Sequence, residues 1–75
     1  MESYSEPAVL WRLRHREGAV ARATLIPGSP DSTLVIFVDD RFERGENFGD
    51  WATALARADE IRKELQDEGW RPDGT

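Results

Sequence analysis

The sequence predicts an α+β fold, in which an antiparallel β-meander of three or four strands packs on one C-terminal α-helix. In the first half of the chain, short alternating or β-branched segments are separated by turn formers. Residues 49–69 instead repeat apolar side chains at spacings of three and four, as a helix does. With 75 residues we expect a single domain, 1–75, whose small core gains from association with another subunit.

The predicted sheet, residues 8–47, begins with a strand in which arginines alternate with large apolar residues. A two-residue turn at Glu17-Gly18 would place Arg22 among those apolar side chains. A three-residue turn with Gly18 left-handed pairs Trp11 with Ala23 and separates an apolar face from a charged one. We favour the second turn because register decides which whole face is buried. The charged face then holds Arg12, Arg14 and Arg22.

The third predicted strand, Thr33 to Val38, follows a loop of turn formers at residues 27–32. It is apolar on both of its sides. We expect Val35 and Phe37 to face the helix, so that a second apolar stripe faces away from it. One helix covers only one side of a sheet, and an uncovered apolar stripe usually marks an interaction site. This stripe consists of Leu34, Ile36 and Val38.

The sequence leaves undecided whether a fourth strand forms. Asp39-Asp40 stands where a tight hairpin turn is expected, and Arg41 to Glu46 would follow as a short strand. Its many charges suit the edge of a sheet.

The helix is predicted over residues 49–69, with Asp50 as N-cap and Gly69 at the C-terminal end. Arg62 falls within its apolar stripe. The arginine can pair with Asp59 one turn back or bind a carboxylate of a partner, and we favour the first. The segments outside the sheet and helix are expected to be a loose N-terminal arm, 1–7, and a loose tail, 71–75.

The helical segment FGDWATALARADEIRKELQDEGW, from Phe48 to Trp70, resembles the C-terminal half of a group of short uncharacterised bacterial proteins. The matching features are the Ala-rich stretch around Ala54-Leu55, the acidic pair Asp59-Glu60 and the final Gly69-Trp70. The resemblance implies a sheet followed by an Ala-rich helix that ends in Gly-Trp. It implies no activity.

Charge argues against a general nucleic-acid binder, since the net charge is −5. The charge is unevenly distributed. Residues 8–27 hold four arginines and one glutamate, giving +3, whereas residues 50–69 hold six acids and three bases, giving −3. The first hairpin is therefore basic and the helix acidic.

Motifs for catalysis and cofactor binding are missing from the sequence. His15 is the sole histidine, and no serine-enzyme or phosphate-loop pattern surrounds the serines or glycines. The four carboxylates between residues 39 and 46 do not have the spacing of a calcium loop. We therefore expect no enzyme activity, no catalytic residue, no metal ligand and no cofactor. Those carboxylates belong to Asp39, Asp40, Glu43 and Glu46.

The N-terminus lacks the pattern of a signal peptide, and the longest apolar run is too short to cross a bilayer. The chain contains no cysteine, which is compatible with a reducing compartment. We expect a cytoplasmic location and no membrane partner.

The sequence predicts a small non-enzymatic interaction module that forms a homodimer, or binds another protein, through the open face of its sheet. Arginine and apolar side chains are both common in such interfaces. The alternative is a nucleic-acid-binding accessory protein that uses the arginine face of the first hairpin. The candidate interface residues are Arg12, Arg14, Arg22, Leu34, Ile36 and Val38.

Overall fold

A computed structural model describes residues 6–28 and 31–73. The elements are β1 Ala8–Arg14, β2 Val20–Ile26, β3 Ser32–Val38, β4 Arg41–Phe48, α1 Trp51–Asp67 and β5 Arg71–Pro72. The strands form one antiparallel sheet in the order β4-β3-β2-β1-β5, and the helix packs on one side of it. The α+β class is confirmed, and the fourth strand forms. Most of the predicted arm, residues 1–5, and residues 29–30 of the predicted loop lie outside the described residues.

The first hairpin has the predicted three-residue turn. Gly18 adopts a φ of 102°, the left-handed conformation that glycine tolerates best. The backbone N–H of His15 donates to the carbonyl of Ala19 at 2.8 Å and closes the turn. Trp11 therefore pairs with Ala23, and the apolar and charged sides separate as expected.

The second tight turn is Asp39-Asp40, with φ values of 52° and 66°. Two positive φ values are typical of the type I′ turn, whose twist matches that of a hairpin. The Asp39 carboxylate also accepts a hydrogen bond from the backbone N–H of Val20 at 2.9 Å, which ties the turn to β2. This turn starts β4, which continues two residues past the predicted end, to Phe48.

The helix ends are fixed by the two predicted caps. The Asp50 carboxylate accepts from the backbone N–H of Thr53 at 2.8 Å. This hydrogen bond is the largest cause of the lowered pKa of Asp50. Gly69 has a φ of 102°, and the N–H of Trp70 donates to the carbonyl of Leu65 at 3.1 Å, as in a Schellman motif. The helix is thus two residues shorter at each end than the predicted 49–69.

The prediction of a loose tail is wrong for its first residues. The left-handed Gly69 turns the chain back along the outer edge of β1, where Arg71 and Pro72 pair with Arg14 and Leu13 as β5. The N–H of Asp73 then donates to a β1 carbonyl, that of Arg12, at 3.0 Å. A ladder of two residues has no periodic pattern, so the sequence did not reveal it.

Small buried side chains lie on both the helix and the second strand of the sheet. Ala54 and Ala58 on α1 are fully or almost fully buried, as are Ala21 and Ala23 on β2. The indole N–H of Trp11 donates to the carbonyl of Ala58 at 2.9 Å, which links β1 to the middle of the helix. Burial and packing define one core cluster, made of Ala23, Leu34, Ile36, Ala58 and Ile61.

The structure contradicts the predicted orientation of β3. Leu34 pairs with Leu25 and Ile36 with Ala23, and paired residues of an antiparallel sheet point to the same side. That side faces the helix, and Leu34 and Ile36 are only 1% and 4% exposed. Val38 lies on this side as well. These three residues therefore do not form an uncovered stripe, and they drop out of the candidate interface.

The cause of this error is the composition of β3 and the loop before it. Because every position from Leu34 to Val38 is apolar, alternation gives no sign of which side is buried. The register with β2 decides instead, and the loop that sets it is not a standard tight hairpin turn. Val35 and Phe37 consequently lie on the side away from the helix.

We expect Ile36→Ala to lower the free energy of unfolding by about 2–5 kcal/mol, because it leaves a cavity under the helix. Phe42→Ala, on the other side of the sheet, serves as the control and should change stability by less than about 1 kcal/mol at low micromolar concentration. Urea unfolding followed by circular dichroism measures both. A small loss for Ile36→Ala together with a large loss for Phe42→Ala would contradict the observed orientation.

Candidate protein interface

The side of the sheet opposite the helix is here called the open face. Within residues 6–28 and 31–73, no helix or further strand packs on it. Strand pairing assigns it both charged and apolar side chains. Its principal residues are Val9, Arg12, Arg14, Arg22, Thr24, Ile26, Val35, Phe37, Phe42 and Gly45.

Four residues form a row straight across the open face, one on each of the strands β1 to β4. Arg12 pairs with Arg22, Arg22 with Phe37, and Phe37 with Phe42. We call this set the cross-strand row. One half of the row is cationic and the other half is aromatic.

The two inner members of the row contact each other. The guanidinium carbon of Arg22 lies 4.3 Å from the centroid of the Phe37 ring, a cation–π geometry. The same guanidinium donates to the carboxylate of Asp40 in the β3–β4 turn. The charge of Arg22 is therefore balanced within the chain.

The outer aromatic member, Phe42, is 67% exposed. A β-bulge at Glu43 brings Phe42 and Gly45 to the same side of β4. A Cβ atom on Gly45 would lie 3.3 Å from the Phe42 ring, so the ring rests against the space that a side chain would occupy. The absence of a side chain at Gly45 lets a large apolar ring lie along the sheet in contact with solvent.

The outer cationic member, Arg12, is exposed, and its side chain forms no ion pair or ring contact with the described residues. Arg14 is different, because its Nε donates to the carboxylate of Asp73 at 3.1 Å. The structure thus brings together the three predicted arginines, Arg12, Arg14 and Arg22. Two of them already have carboxylate partners.

Sequence reasoning missed Phe42 as an interface residue. It stands in a segment read only as a charged edge, between Arg41 and Glu43. The bulge that sets its direction is not visible in the sequence. The available signal was a large aromatic side chain in an otherwise charged strand, which alternation alone does not explain.

Three of the four carboxylates considered for cation binding are engaged elsewhere. Asp39 and Asp40 accept hydrogen bonds from Val20 and Arg22, as described above. Glu46 accepts from the guanidinium of Arg57 on the helix at 3.3 Å. In the described part of the chain, no three acidic or histidine side chains gather as a metal site.

His15 has structural contacts. Its Nδ1 accepts the backbone N–H of Glu17 at 3.2 Å inside the first turn. Its ring meets Trp70 edge-on, with the centroids 5.2 Å apart. The first contact stabilises the hairpin turn, and the second holds this turn against the segment that follows the helix.

A cavity of about 450 Å³ opens on the other side of the sheet, between the second half of α1 and strands β3 and β4. Its floor includes Val38 and Leu65, and its rim includes Glu43, Arg44 and Glu64. No histidine or hydroxyl side chain lines it. It marks the part of the helix-facing side that one helix does not fill.

Arg62 makes the predicted contact within the helix. Its guanidinium donates to the carboxylate of Asp59, one turn back, and to the side chain of Gln66 at 3.2 Å. The pKa of Asp59 is lowered, first because Arg62 donates to it and second because Lys63 does so. Arg62 therefore has a structural partner in its own chain.

Comparisons of the chain with protein-family models, with curated proteins and with solved structures found no match. The resemblance to short bacterial proteins accordingly stays a prediction. Among the described residues, no helix has the length and apolar character required to cross a membrane.

We expect Arg62→Gln to raise the pKa of Asp59 toward its ordinary value of 3.8, as measured by carboxyl-carbon NMR titration. Lys63→Gln, the control, should raise it less, because Lys63 is the smaller cause. A pKa lowered on folding stabilises the folded state above 3.8, and this contribution is lost as pH falls through the folded value. An Asp59 pKa that Arg62→Gln leaves unchanged would contradict the pairing.

Proposed function

We propose that the chain is a small non-enzymatic interaction module that self-associates through the open face of its sheet. The observation that best supports this proposal is Phe42, an aromatic ring left two-thirds exposed on a side that no described element covers. Exposed aromatic side chains beside arginines are typical of interface centres. The expected cytoplasmic location stays a prediction.

The apolar character of the proposed interface extends beyond the cross-strand row. Val9 and Ile26, at the far end of the open face, are also exposed. Thr24 and Val35 lie between these two residues and the cross-strand row, and both are buried. The proposed interface therefore consists of Arg12, Arg22, Phe37 and Phe42 with Val9 and Ile26, in place of Leu34, Ile36 and Val38.

The size of the open face suits a weak dimer. With strands about 4.8 Å apart and a rise of about 3.3 Å per residue, four seven-residue strands present roughly 400 Å². Two such faces would bury about 800–1,000 Å² together, which is below the roughly 1,200 Å² of stable interfaces and in the range of weak, transient ones. We therefore expect dissociation constants in the micromolar range.

The test is sedimentation velocity of the wild type and of Phe42→Lys at concentrations up to the high micromolar range. We expect the wild type to dimerise and Phe42→Lys to stay monomeric, because a lysine charge would be buried within the contact. Ala56→Lys adds the same charge to an exposed position on the helix and should dimerise as the wild type does. A monomeric wild type, or equal weakening by both lysines, would refute the proposed interface.

Nucleic-acid binding is the second candidate, and one observation favours it. Single-stranded nucleic acid is bound by surfaces that combine arginines with aromatic rings, and Phe37 and Phe42 share their side of the sheet with the arginines. Against it, Asp40 and Asp73 already balance Arg22 and Arg14. We rank it below self-association because the net charge is −5.

We expect fluorescence anisotropy to detect no submicromolar binding of mixed-sequence DNA or RNA oligonucleotides at physiological salt. The variant for comparison is Arg12→Ala with Arg14→Ala, which removes two charges from the open face. Submicromolar binding by the wild type that this double variant loses would reverse the ranking of the two functions.

A further inference from the structure

We propose that two copies of the chain meet around a two-fold axis that runs along the strands between β2 and β3, so that Arg12 of each copy stacks on Phe42 of the other. The inference rests on the proposed self-association and adds the orientation of the two copies. It follows from the order of residues in the cross-strand row and from which of them lack a partner among the described residues.

The row has the symmetry that such a dimer requires. A rotation about an axis along the strands, between β2 and β3, lays β1 of one copy over β4 of the other. The four row residues lie at one height along the sheet, because each is paired with its neighbour. Arg12 then lies over Phe42 of the second copy, and the contact occurs twice, as in any two-fold interface.

The two outer residues of the row, Arg12 and Phe42, are chemically complementary. The Phe42 ring rests against Gly45 and is 67% exposed. The Arg12 guanidinium has no ion pair or ring contact among the described residues. Packed sheets lie about 10 Å apart, a gap that an extended arginine and a ring lying along the sheet can fill together.

The inner residues of the row, Arg22 and Phe37, allow the two copies to approach each other. Arg22 lies over Phe37 of its own chain and is neutralised by Asp40, so the two copies bring balanced charges to the axis. The Arg22 guanidinium of each copy can also approach the Phe37 ring of the other copy. The centre of the interface is thus made of arginine–aromatic contacts without an unpaired charge.

The competing two-fold arrangement is less favourable on electrostatic grounds. An axis across the strands, through the row, would place Arg12 over Arg12 of the second copy and Phe42 over Phe42. The two Arg12 side chains, with no carboxylate partner in the described residues, would then repel each other. Charge complementarity therefore selects the axis along the strands.

The deciding experiment mixes two variants, Arg12→Ala and Phe42→Ala, with one of them labelled with ¹⁵N so that native mass spectrometry separates the dimers by mass. Each homodimer lacks both Arg12–Phe42 contacts. The heterodimer keeps one of them, between the arginine of one variant and the phenylalanine of the other. The heterodimer should therefore form in a larger proportion than random pairing gives. The equilibrium constant for exchange of the two homodimers into heterodimers should be at least about fivefold above its value for random pairing.

The controls separate this orientation from the proposed function. Labelled and unlabelled wild type should pair at random, and so should Arg14→Ala mixed with Phe42→Ala once their homodimer affinities are taken into account. Circular dichroism verifies that each variant is folded. Random pairing of Arg12→Ala with Phe42→Ala, while the wild type still dimerises and Phe42→Lys does not, would overturn the orientation alone. A wild type that never dimerises would overturn both the orientation and the proposed function.

Discussion

The packing of the helix on the side of the sheet that carries Ala23, Leu34 and Ile36 is the constraint on which the rest of the structure depends. Ala58 and Ile61 of the helix share one core cluster with Ala23, Leu34 and Ile36 of the sheet, and Ala21 and Ala54 are buried as well. Trp11 adds a hydrogen bond from its indole to the Ala58 carbonyl. This packing fixes which side of every strand is buried, because side chains alternate between the two faces.

The open face follows directly from which side of the sheet the helix covers. Once Leu34 and Ile36 pack under the helix, Val35 and Phe37 must point the other way. Among the described residues no other helix or strand packs on that side, and the bulge in β4 adds Phe42 to it. The arginines of the first hairpin share this side for the same geometric reason, so charged and aromatic groups meet there.

Local signals in the sequence were sufficient for the turns and the caps. Gly18, Asp50 and Gly69 each act through the backbone conformation or hydrogen bond that their chemistry favours, and their positions are those predicted. The side of β3 could not be predicted, because a strand that is apolar at every position has two equivalent orientations until its register with β2 is known.

The composition of the open face was therefore predicted only in part. Arg12 and Arg22 were assigned to the correct side because the turn at Gly18 fixes it. Phe42 depends on a bulge, and β5 depends on two residues that pair far along the chain, and neither feature leaves a repeating pattern. A bulge or a two-residue ladder, unlike a turn glycine or a helix cap, requires no particular residue type and so leaves no sign in the sequence.

The central claim is that copies of the chain meet through the open face, and its most direct test is a series of ¹H–¹⁵N NMR spectra recorded at increasing protein concentration. The account predicts concentration-dependent shifts at Arg12, Arg22, Phe37 and Phe42, with residues of the outer helix surface unchanged. Shifts confined to the helix, or spectra identical at all concentrations up to the high micromolar range, would contradict it.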